Sequence, residues 1–428
     1  MALWVIELDD TEVRVTRDGE LVDASPGVAL VGTQTVITGE EARARRYLDP
    51  RAARDRFWQQ LNQLPLPDTT RQCRHHADLA YHHLDAILNR CGRPTEAVLA
   101  VPAHYGPDEL ALLLGIAGAL GLGVADLVDS GVAALAGSAP PGHYVVAELF
   151  QHHATLTEID VGDSVKRKDV EIVEPATRDR LEKGLADLIA DAFLDQARFD
   201  PLHDAASEQR LHDALPAWIT RAATTAGAVE LTLDYRGQRF TAQVAVREIE
   251  RVTSMVLAPL AERVDPDRSL VLAARLGELP GAVKLLAPAA VLPSAAPARG
   301  IAEHRLAFGS PRQGAAFIVQ LPAARVAAFT NPTQTDNPES AVTHLLCGVR
   351  AVALGATPLA LEASGALTAS AQPDSATVVV LAGKAILDPG AQAVAVNQEK
   401  TTTRVELNAG DRISLGAGHA SFLAINVS

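Results

Sequence analysis

Histidines are the first residues of this chain whose types and spacing could do chemistry. Four of them stand in two pairs seven residues apart: His75, His76, His82 and His83. On a helix the two pairs would share one face, and imidazole is a common zinc ligand. Cys73 and Asp78 are the two candidates for a further ligand, and no other cysteine or acidic residue has a convincing zinc spacing. We therefore predict a solvated helix face and no metal site in this segment.

Length and charge narrow the classes of function. The chain has 428 residues, enough for two or three domains, and 48% of them are hydrophobic. A formal net charge of −14 disfavours nucleic acid or an anionic membrane as a partner. Three distant cysteines argue against a disulfide framework. Because the sequence shows no basic leader and no apolar run of membrane-spanning length, we expect a cytoplasmic protein.

The stretch from Ala97 to Ser138 predicts a parallel sheet. An apolar run at 97–101 is followed by helical spacing from Glu109 to Leu120, and a second apolar run at 124–128 precedes a small-residue helix at 132–136. Strand, helix, strand and helix at this spacing are typical of crossover connections in an α/β fold.

The same stretch carries an ordered set of family-like segments. They read Ala97-Val98-Leu99-Ala100-Val101-Pro102-Ala103, then Leu120-Gly121-Leu122, then Asp129-Ser130-Gly131-Val132-Ala133-Ala134. This set resembles the DnaK-type heat-shock chaperones of the actin-like ATPase superfamily. The resemblance implies a two-lobed α/β domain with ribonuclease-H-type lobes over residues 1–307. It also implies a cleft between the lobes for ATP or ADP with magnesium.

The residues aligned with the nucleotide motifs of that family depart from them. Where the family has D-L-G-T-T, the chain has Glu7-Leu8-Asp9-Asp10-Thr11, which would place a carboxylate against the phosphates. The second loop, D-L-G-G-G-T in the family, is Glu148-Leu149-Phe150-Gln151-His152-His153 and has lost every glycine. The glycine pair near the adenosine is replaced by Ala274-Arg275. His152 and His153 could act as a general base, but we predict that this hairpin tip fills the emptied cleft.

These departures predict a non-catalytic scaffold or adaptor, without a cofactor, that binds protein partners. By the resemblance, one such partner is a chaperone of the same family. The alternative is a nucleotide-responsive switch with weak or no hydrolysis, which would bind ATP or ADP with magnesium. The degenerate cleft in either case comprises Glu7, Asp9, Thr11, Asp129, Glu148, Gln151 and Gly277. A serine hydrolase is not expected, because Ser130-Gly131 lacks the G-x-S-x-G context.

A run of arginines between positions 43 and 56 predicts a local basic helix. Such a run is usually a solvated face, although in an acidic protein it could dock an acidic partner.

The last third of the chain has a different pattern. Residues 308–340 read as a linker, and from residue 341 to 428 short apolar runs alternate with turn residues at the spacing of a β-sandwich. The segment Leu407-Asn408-Ala409-Gly410-Asp411-Arg412-Ile413-Ser414-Leu415-Gly416 resembles the L-x-x-G-D-x-I-x-L-G turn of forkhead-associated domains. The resemblance places a phosphopeptide-type partner face at Arg350, Ser370 and Asn397. The family's glycine-arginine pair and S-x-x-H motif are absent.

Overall fold

A computed structural model describes the chain in two compact units, Met1–Phe329 (unit 1) and Thr330–Ser428 (unit 2). The described residues are 2–66, 69–137, 139–265, 268–308, 314–323, 344–347, 350–354, 359–361, 367–368, 375–381, 384–390, 394–396, 399–401, 403–407, 411–415 and 420–425.

Unit 1 opens with a hairpin and continues through alternating strands and helices. Its elements up to residue 137 are β1 (Trp4–Glu7), β2 (Glu12–Arg17), β3 (Glu20–Pro26), β4 (Ala29–Val31), β5 (Val36–Thr38), α1 (Glu40–Arg43), β6 (Ala53–Arg54), α2 (His76–Arg90), β7 (Glu96–Val101), α3 (Pro107–Ala119), β8 (Gly123–Asp129) and α4 (Ser130–Ala136). α3 begins with Pro107, whose fixed φ suits the first helical position. α4 begins where the Asp129 side chain accepts the N–H of Val132.

The rest of unit 1 repeats this series. Its elements are β9 (Gly142–Leu149), β10 (Ala154–Val161), β11 (Ser164–Val173), α5 (Arg178–Ala197), α6 (Ala205–Thr224), β12 (Ala228–Tyr235), β13 (Gln238–Ala245), α7 (Val246–Ala261), β14 (Ser269–Leu272), α8 (Ala274–Gly277), α9 (Ala282–Leu285), β15 (Ala289–Val291), α10 (Ala296–Glu303), a short 3-10 turn (Arg305–Ala307), β16 (Phe317–Ile318) and β17 (Gln320–Pro322).

Two six-stranded sheets share the topology of five of their strands. Sheet 1 has the order β3-β2-β1-β7-β8-β16 and sheet 2 the order β17-β11-β10-β9-β14-β15. In each sheet, the first three strands along the chain pair antiparallel with one another. The next two strands run parallel to the first strand of the series. Each series also carries an insert between its third strand and its next core helix. The first insert contains β4–β6 and α1, and the second contains α5, α6 and the β12–β13 hairpin.

The first insert differs from the predicted basic helix. α1 ends at Arg43, and the later arginines lie on turns and on β6. Glu40 and Glu41 form the first turn of this four-residue helix, so it is not basic along its length.

Helices α4 and α10, each following the fifth strand of a series, pack together between the two sheets. Their buried residues form one hydrophobic cluster with the facing strands, including Val5, Val98, Val146 and Val271. A second cluster packs α2 and α3 on sheet 1, and a third packs α5–α7 on sheet 2. Unit 1 is therefore layered as helices, sheet, paired helices, sheet and helices, and the mixed α/β prediction is confirmed.

Unit 2 consists of antiparallel strands. They are β18 (His344–Cys347), β19 (Arg350–Ala353), β20 (Leu359–Leu361), β21 (Leu367–Thr368), β22 (Thr377–Leu381), β23 (Lys384–Asp388), β24 (Val394–Val396), β25 (Glu399–Thr401), β26 (Val405–Glu406), β27 (Arg412–Leu415) and β28 (Ala420–Ile425). The sheets have the orders β19-β18-β28-β27-β24-β25 and β21-β20-β22-β23-β26. Both contribute to one hydrophobic cluster that includes Leu345, Val378, Leu387, Ile413 and Phe422.

The division between the units falls within residues 308–340, the range predicted as a linker. Two short strands from that range belong to unit 1: β16 adds to sheet 1 beside β8, and β17 adds to sheet 2 beside β11. Leu321 of β17 is 2% exposed and packs in the cluster between the sheets.

Candidate functional site

An ion pair joins the two series of unit 1 at the turn between β1 and β2 (Leu8–Thr11, the β1–β2 turn). Nη1 of Arg275, on α8, donates to Oδ2 of Asp9 at 2.7 Å, and the two side chains are only 22% and 17% exposed. Oδ1 of Asp9 accepts the N–H of Thr11 at 2.7 Å, which orients the carboxylate within its own turn. Nη2 of Arg275 lies 3.7 Å from the Glu12 carboxylate. The guanidinium is thus held by two acidic residues of the β1–β2 hairpin.

A cavity of about 50 Å³ lies beside this ion pair, lined in part by Glu7, Asp9, Ser130, Glu148 and Arg275. Pockets that hold cofactors have volumes of roughly 300–1,000 Å³. This cavity has room for water but not for a nucleotide. The lining of this small cavity therefore does not fit the magnesium nucleotide that the resemblance implied.

Carboxyl groups in the cavity are shifted toward their protonated forms. Burial, followed by the charges of Asp129, Asp9 and Glu7, raises the pKa of Glu148 to about 8. Burial also raises the pKa of Glu7, although the Arg275 charge opposes the shift. Oγ of Ser130 donates to Oε1 of Glu148 at 3.3 Å. The cavity near neutral pH therefore carries less negative charge than its composition indicates.

The turn between β9 and β10 (Phe150–His153, the β9–β10 turn) is where the resembled family holds phosphates with backbone amides. Here the N–H of Gln151 donates to Oδ1 of Asp10 at 2.7 Å. Two carbonyls of the turn, those of Phe150 and Gln151, accept the first N–H groups of α5 at 3.0 Å each. A carboxylate of the chain itself thus takes the amide that a phosphate would use. Burial and the neighbouring Asp9 raise the pKa of Asp10 to about 7.

Side chains of the β9–β10 turn dock against the first series. Nε2 of His153 lies 3.2 Å from Nδ1 of His104, and the His153 ring stacks on Phe150 with 4.8 Å between centroids. Nε2 of His152 lies 3.3 Å from Oδ1 of Asp55. Burial lowers the pKa of His104 to about 3 and that of His153 to about 4. Both rings are therefore neutral near pH 7 and pack against each other, and the filling of a nucleotide cleft by this tip stays a prediction.

The other predicted cleft residues lie apart from the cavity. Asp129 is fully buried, caps α4 and pairs with Nη1 of Arg167 at 2.8 Å. Burial raises its pKa. Gly277 packs against Val291, where an added Cβ would lie 2.4 Å from a methyl group. Thr11 and Gln151 line a neighbouring cleft. Of the predicted residues, Glu7, Asp9 and Glu148 line the cavity, and Asp129 lies near enough for its charge to act on Glu148.

Sequence reasoning missed Arg275 as a site residue. Two signals for Arg275 stand in the sequence: Ala274-Arg275 replaces the family's glycine pair, and the Asp9 carboxylate replaces a glycine of the first loop. Opposite charges at two positions that each lost a glycine were a pattern from which this ion pair could have been inferred.

The predicted solvated histidine face is wrong for His83. This side chain is completely buried, accepts the Nε1–H of Trp58 at 2.9 Å and lies 2.8 Å from Oγ of Ser25. Burial lowers its pKa to about 3.

Among the described residues, no group of three or more His, Cys, Asp or Glu is arranged to hold a metal ion. No helix of the described residues is long and apolar enough to cross a membrane.

The predicted partner face of unit 2 is described only at Arg350. Its backbone opens β19 and pairs with Cys347. Ser370 and Asn397 lie outside the described residues.

Comparison with known proteins gives no family for the chain. No protein-family model matches it, and no curated protein is significantly similar to it.

Proposed function

We propose that the chain is a non-catalytic scaffold or adaptor whose unit 1 has the actin-like, DnaK-type fold and whose cleft takes no nucleotide. The repeated strand order, with an insert at the same point of each series, supports the two-lobed fold that the resemblance implied. Two antiparallel sheets around one core support a β-sandwich related to forkhead-associated domains for unit 2.

The ion pair between Arg275 and Asp9 carries this proposal. A guanidinium and a carboxylate of the chain meet where the resembled family places phosphates, and about 50 Å³ of cavity remains beside them. The Asp10 carboxylate, bonded to Gln151, uses the amide of the second loop. Ligand-independent contacts therefore join the two lobes, which leaves a body of constant shape on which protein partners can assemble.

Calorimetric titration with ATP and with ADP, each with magnesium, tests the proposal, with a DnaK-type chaperone as the positive control. We expect no saturable heat at millimolar nucleotide and no thermal shift. Saturable binding of either nucleotide would refute the proposal that the cleft takes no nucleotide.

Size-exclusion chromatography with a purified DnaK-type chaperone tests the proposed partner of the same family. Co-migration of the two proteins would support this partner, and separate elution would exclude it.

One observation favours the alternative, a nucleotide-responsive switch. Glu7 and Glu148 still line one cavity, as magnesium-binding carboxylates would. Against it stand the Arg275 guanidinium in that cavity and the raised pKa values of both carboxyl groups. The same titration decides between the two functions.

A further inference from the structure

β3 is the terminal strand of sheet 1, and an open groove runs beside it. Among the residues that the structure describes, β2 is the only strand that pairs with β3. The groove, which we call the edge groove, has a volume of about 590 Å³. Its lining comprises residues 23–25 and 36–38 with Glu40, Glu41, Ala86 and Arg90.

The lining shows that the groove borders the edge of β3 and not one of its faces. Residues 23–25 follow one another on the strand, and all three contact the groove although their side chains alternate between the two faces. Alternate residues of a strand point their N–H and C=O groups away from its partner, here β2. Such an edge can accept a further strand, which is how many domains bind extended peptides.

β5 borders the same groove with its own edge. It is the terminal strand of the sheet β5-β4-β6, and its consecutive residues 36–38 all line the groove. Within the described part of the chain, two strand edges that lack a second partner thus meet at one groove.

The side chains of β3 favour an apolar and basic partner strand. Leu21 and Val22 are 53% and 46% exposed, and a bulge leaves Val22 without an opposing residue in β2. Exposed edge strands are often protected by lysine or proline, but β3 has no lysine, and its proline is the last residue, Pro26. Both charged residues of β3, Glu20 and Asp23, are acidic, so they disfavour an acidic strand.

The edge groove also carries a net negative charge. Asp23, Glu40 and Glu41 contribute three carboxylates to its lining, and one guanidinium accompanies them. That guanidinium, of Arg90, pairs with Asp23 at 2.7 Å, and Arg43 pairs with Glu40 at 2.6 Å. Glu41 is exposed and has no ion pair within the described residues. A positively charged group of a partner is therefore favoured beside Glu41.

The position of Glu41 sets the end of the partner strand at which this positive charge belongs. Gly39, which precedes α1, lies so close to the end of β3 that an added Cβ would be 2.4 Å from Oγ of Ser25. In an antiparallel pair, the first residues of the added strand lie opposite the last residues of β3. The N-terminal residues of such a strand therefore lie near Glu40 and Glu41.

From this geometry we propose that the edge groove binds an extended peptide segment of a protein partner, with basic residues at the N-terminal end of that segment. The segment pairs antiparallel with β3 and adds a strand to sheet 1. Its apolar side chains contact Leu21 and Val22, and its basic residues lie beside Glu41. The inference rests on the proposed scaffold function, because it gives that scaffold a docking surface and a class of partner.

Fluorescence anisotropy of the full chain with three labelled peptides of about nine residues tests the proposal. The first peptide alternates valine and threonine after two N-terminal lysines. The second has glutamates in place of the lysines, and the third has proline in place of each valine. We expect the lysine peptide to bind saturably with a Kd below about 1 mM. The other two should bind at least about tenfold more weakly, because charge attraction or backbone pairing is lost.

Two variants of the groove have matched controls outside it. Glu41→Lys should weaken binding of the lysine peptide about fivefold or more, because it replaces an attraction with a repulsion. Glu262→Lys, at an exposed position after α7, should not change it. Val22→Lys should weaken binding about threefold or more, since lysine on an edge strand opposes pairing. Ile172→Lys, at a position 49% exposed on β11, should not.

The proposal fails if the lysine peptide does not bind at about 1 mM, or if the glutamate peptide binds as tightly. It also fails if Glu41→Lys and Val22→Lys bind like their controls, or if Ile172→Lys alone abolishes binding, since the peptide would then lie on β11. Light scattering adds one check: a dimer of the chain that Val22→Lys dissociates would mean that a second copy occupies this edge, which overturns the proposal.

The peptide and nucleotide titrations separate this inference from the proposed function. If neither the peptides nor the nucleotides bind, the edge groove is not the docking surface, and the scaffold function stands without it. If a nucleotide binds, the scaffold function without nucleotide is refuted, and the peptide titration alone decides on the groove.

Discussion

The charged side chains that line the small cavity beside Arg275 determine which ligands it can hold. Glu7, Asp9 and Glu148 would repel one another if all were ionised, because the interaction of like charges at short range is worth several kcal/mol in a partly buried site. Two effects relieve this repulsion. Arg275 neutralises Asp9, and burial keeps Glu148 largely protonated near neutral pH. The cavity is therefore compatible with folding in the absence of a cation or nucleotide.

Replacing Arg275 tests the first effect. Arg275→Gln should lower the free energy of unfolding by about 2 kcal/mol, because the Asp9 carboxylate is left without its cation in a site that is mostly buried. Urea denaturation measures the change. The exposed Arg247→Gln should change it by less than about 0.5 kcal/mol. Equal losses in the two variants would mean that the ion pair contributes nothing beyond an ordinary surface arginine.

Replacing Glu148 tests the second effect, because it should change how the free energy of unfolding depends on pH. The pKa of Glu148 is about 8 in the folded protein against an ordinary value of 4.5, so between these values only the folded chain holds the proton. Its contribution to stability is therefore lost as pH rises from about 4.5 to about 8. Glu148→Gln mimics the protonated form. It should match the wild type below pH 4.5 and exceed it by on the order of a few kcal/mol above pH 8.

Denaturation midpoints of wild type and Glu148→Gln across this pH range give the comparison. Glu262→Gln, at an exposed position, controls for the loss of one charge and should track the wild type. A difference between Glu148→Gln and wild type that does not change with pH would show that Glu148 is ionised throughout.

At the scale of elements, the packing of α4 on α10 joins the two strand-and-helix series of unit 1. The helices approach so closely that a Cβ on Gly300 would lie 1.8 Å from the carbonyl oxygen of Ala133. No side-chain rotation can relieve a contact with backbone, so only glycine allows this approach. The crossing is therefore a point at which the two series are held close to each other.

Gly300→Ala should destabilise the protein by at least about 1–3 kcal/mol, because the two helices must move apart within a packed layer. Gly118→Ala is the matched control, since an added Cβ there meets nothing within 4 Å near the end of α3. That variant should gain up to about 1 kcal/mol, because alanine favours the helix over glycine. Thermal unfolding of both variants measures the effects. A stable Gly300→Ala would show that the helices are free to separate.

The spacing of apolar residues in the sequence predicted the helices and strands better than it predicted the contacts between them. β1, β7, α3 and β8 could be predicted because their apolar residues recur with strand or helix spacing. β16 and β17 have two and three residues, and nothing in so short a run shows which sheet edge it will join.

The same limit applies to the site. The sequence shows the loss of glycines from the two segments aligned with the family's phosphate loops, and the absence of a phosphate cradle stays a prediction. The contact of Arg275 with Asp9 spans 266 positions and depends on the packing of the two series against each other. His83 was misjudged because nothing in its local sequence shows that Trp58 covers that face of α2.

The whole molecule consists of two units with separate hydrophobic clusters. Among the described residues, four clusters lie within unit 1, and another belongs to the two sheets of unit 2. Because each unit closes its own core, unit 1 should fold as residues 1–329. The sequence placed the end of the domain at residue 307, so the segment between 308 and 329 distinguishes the two boundaries.

Two shortened chains separate these boundaries, one ending at residue 329 and one at residue 316. The longer chain should keep the unfolding midpoint of unit 1 to within a few degrees, because it retains both edge strands. The shorter chain loses β16, β17 and the buried Leu321, whose burial contributes about 1.5–3 kcal/mol. Its midpoint should fall by several degrees, since about 1 kcal/mol corresponds to roughly 2–4 °C in a domain of this size.

Calorimetry of both shortened chains and of the full protein gives the unfolding midpoints. If the chain ending at 316 were as stable as the one ending at 329, the short strands would be additions to a domain that is already complete, and the boundary inferred from the sequence would be the better one.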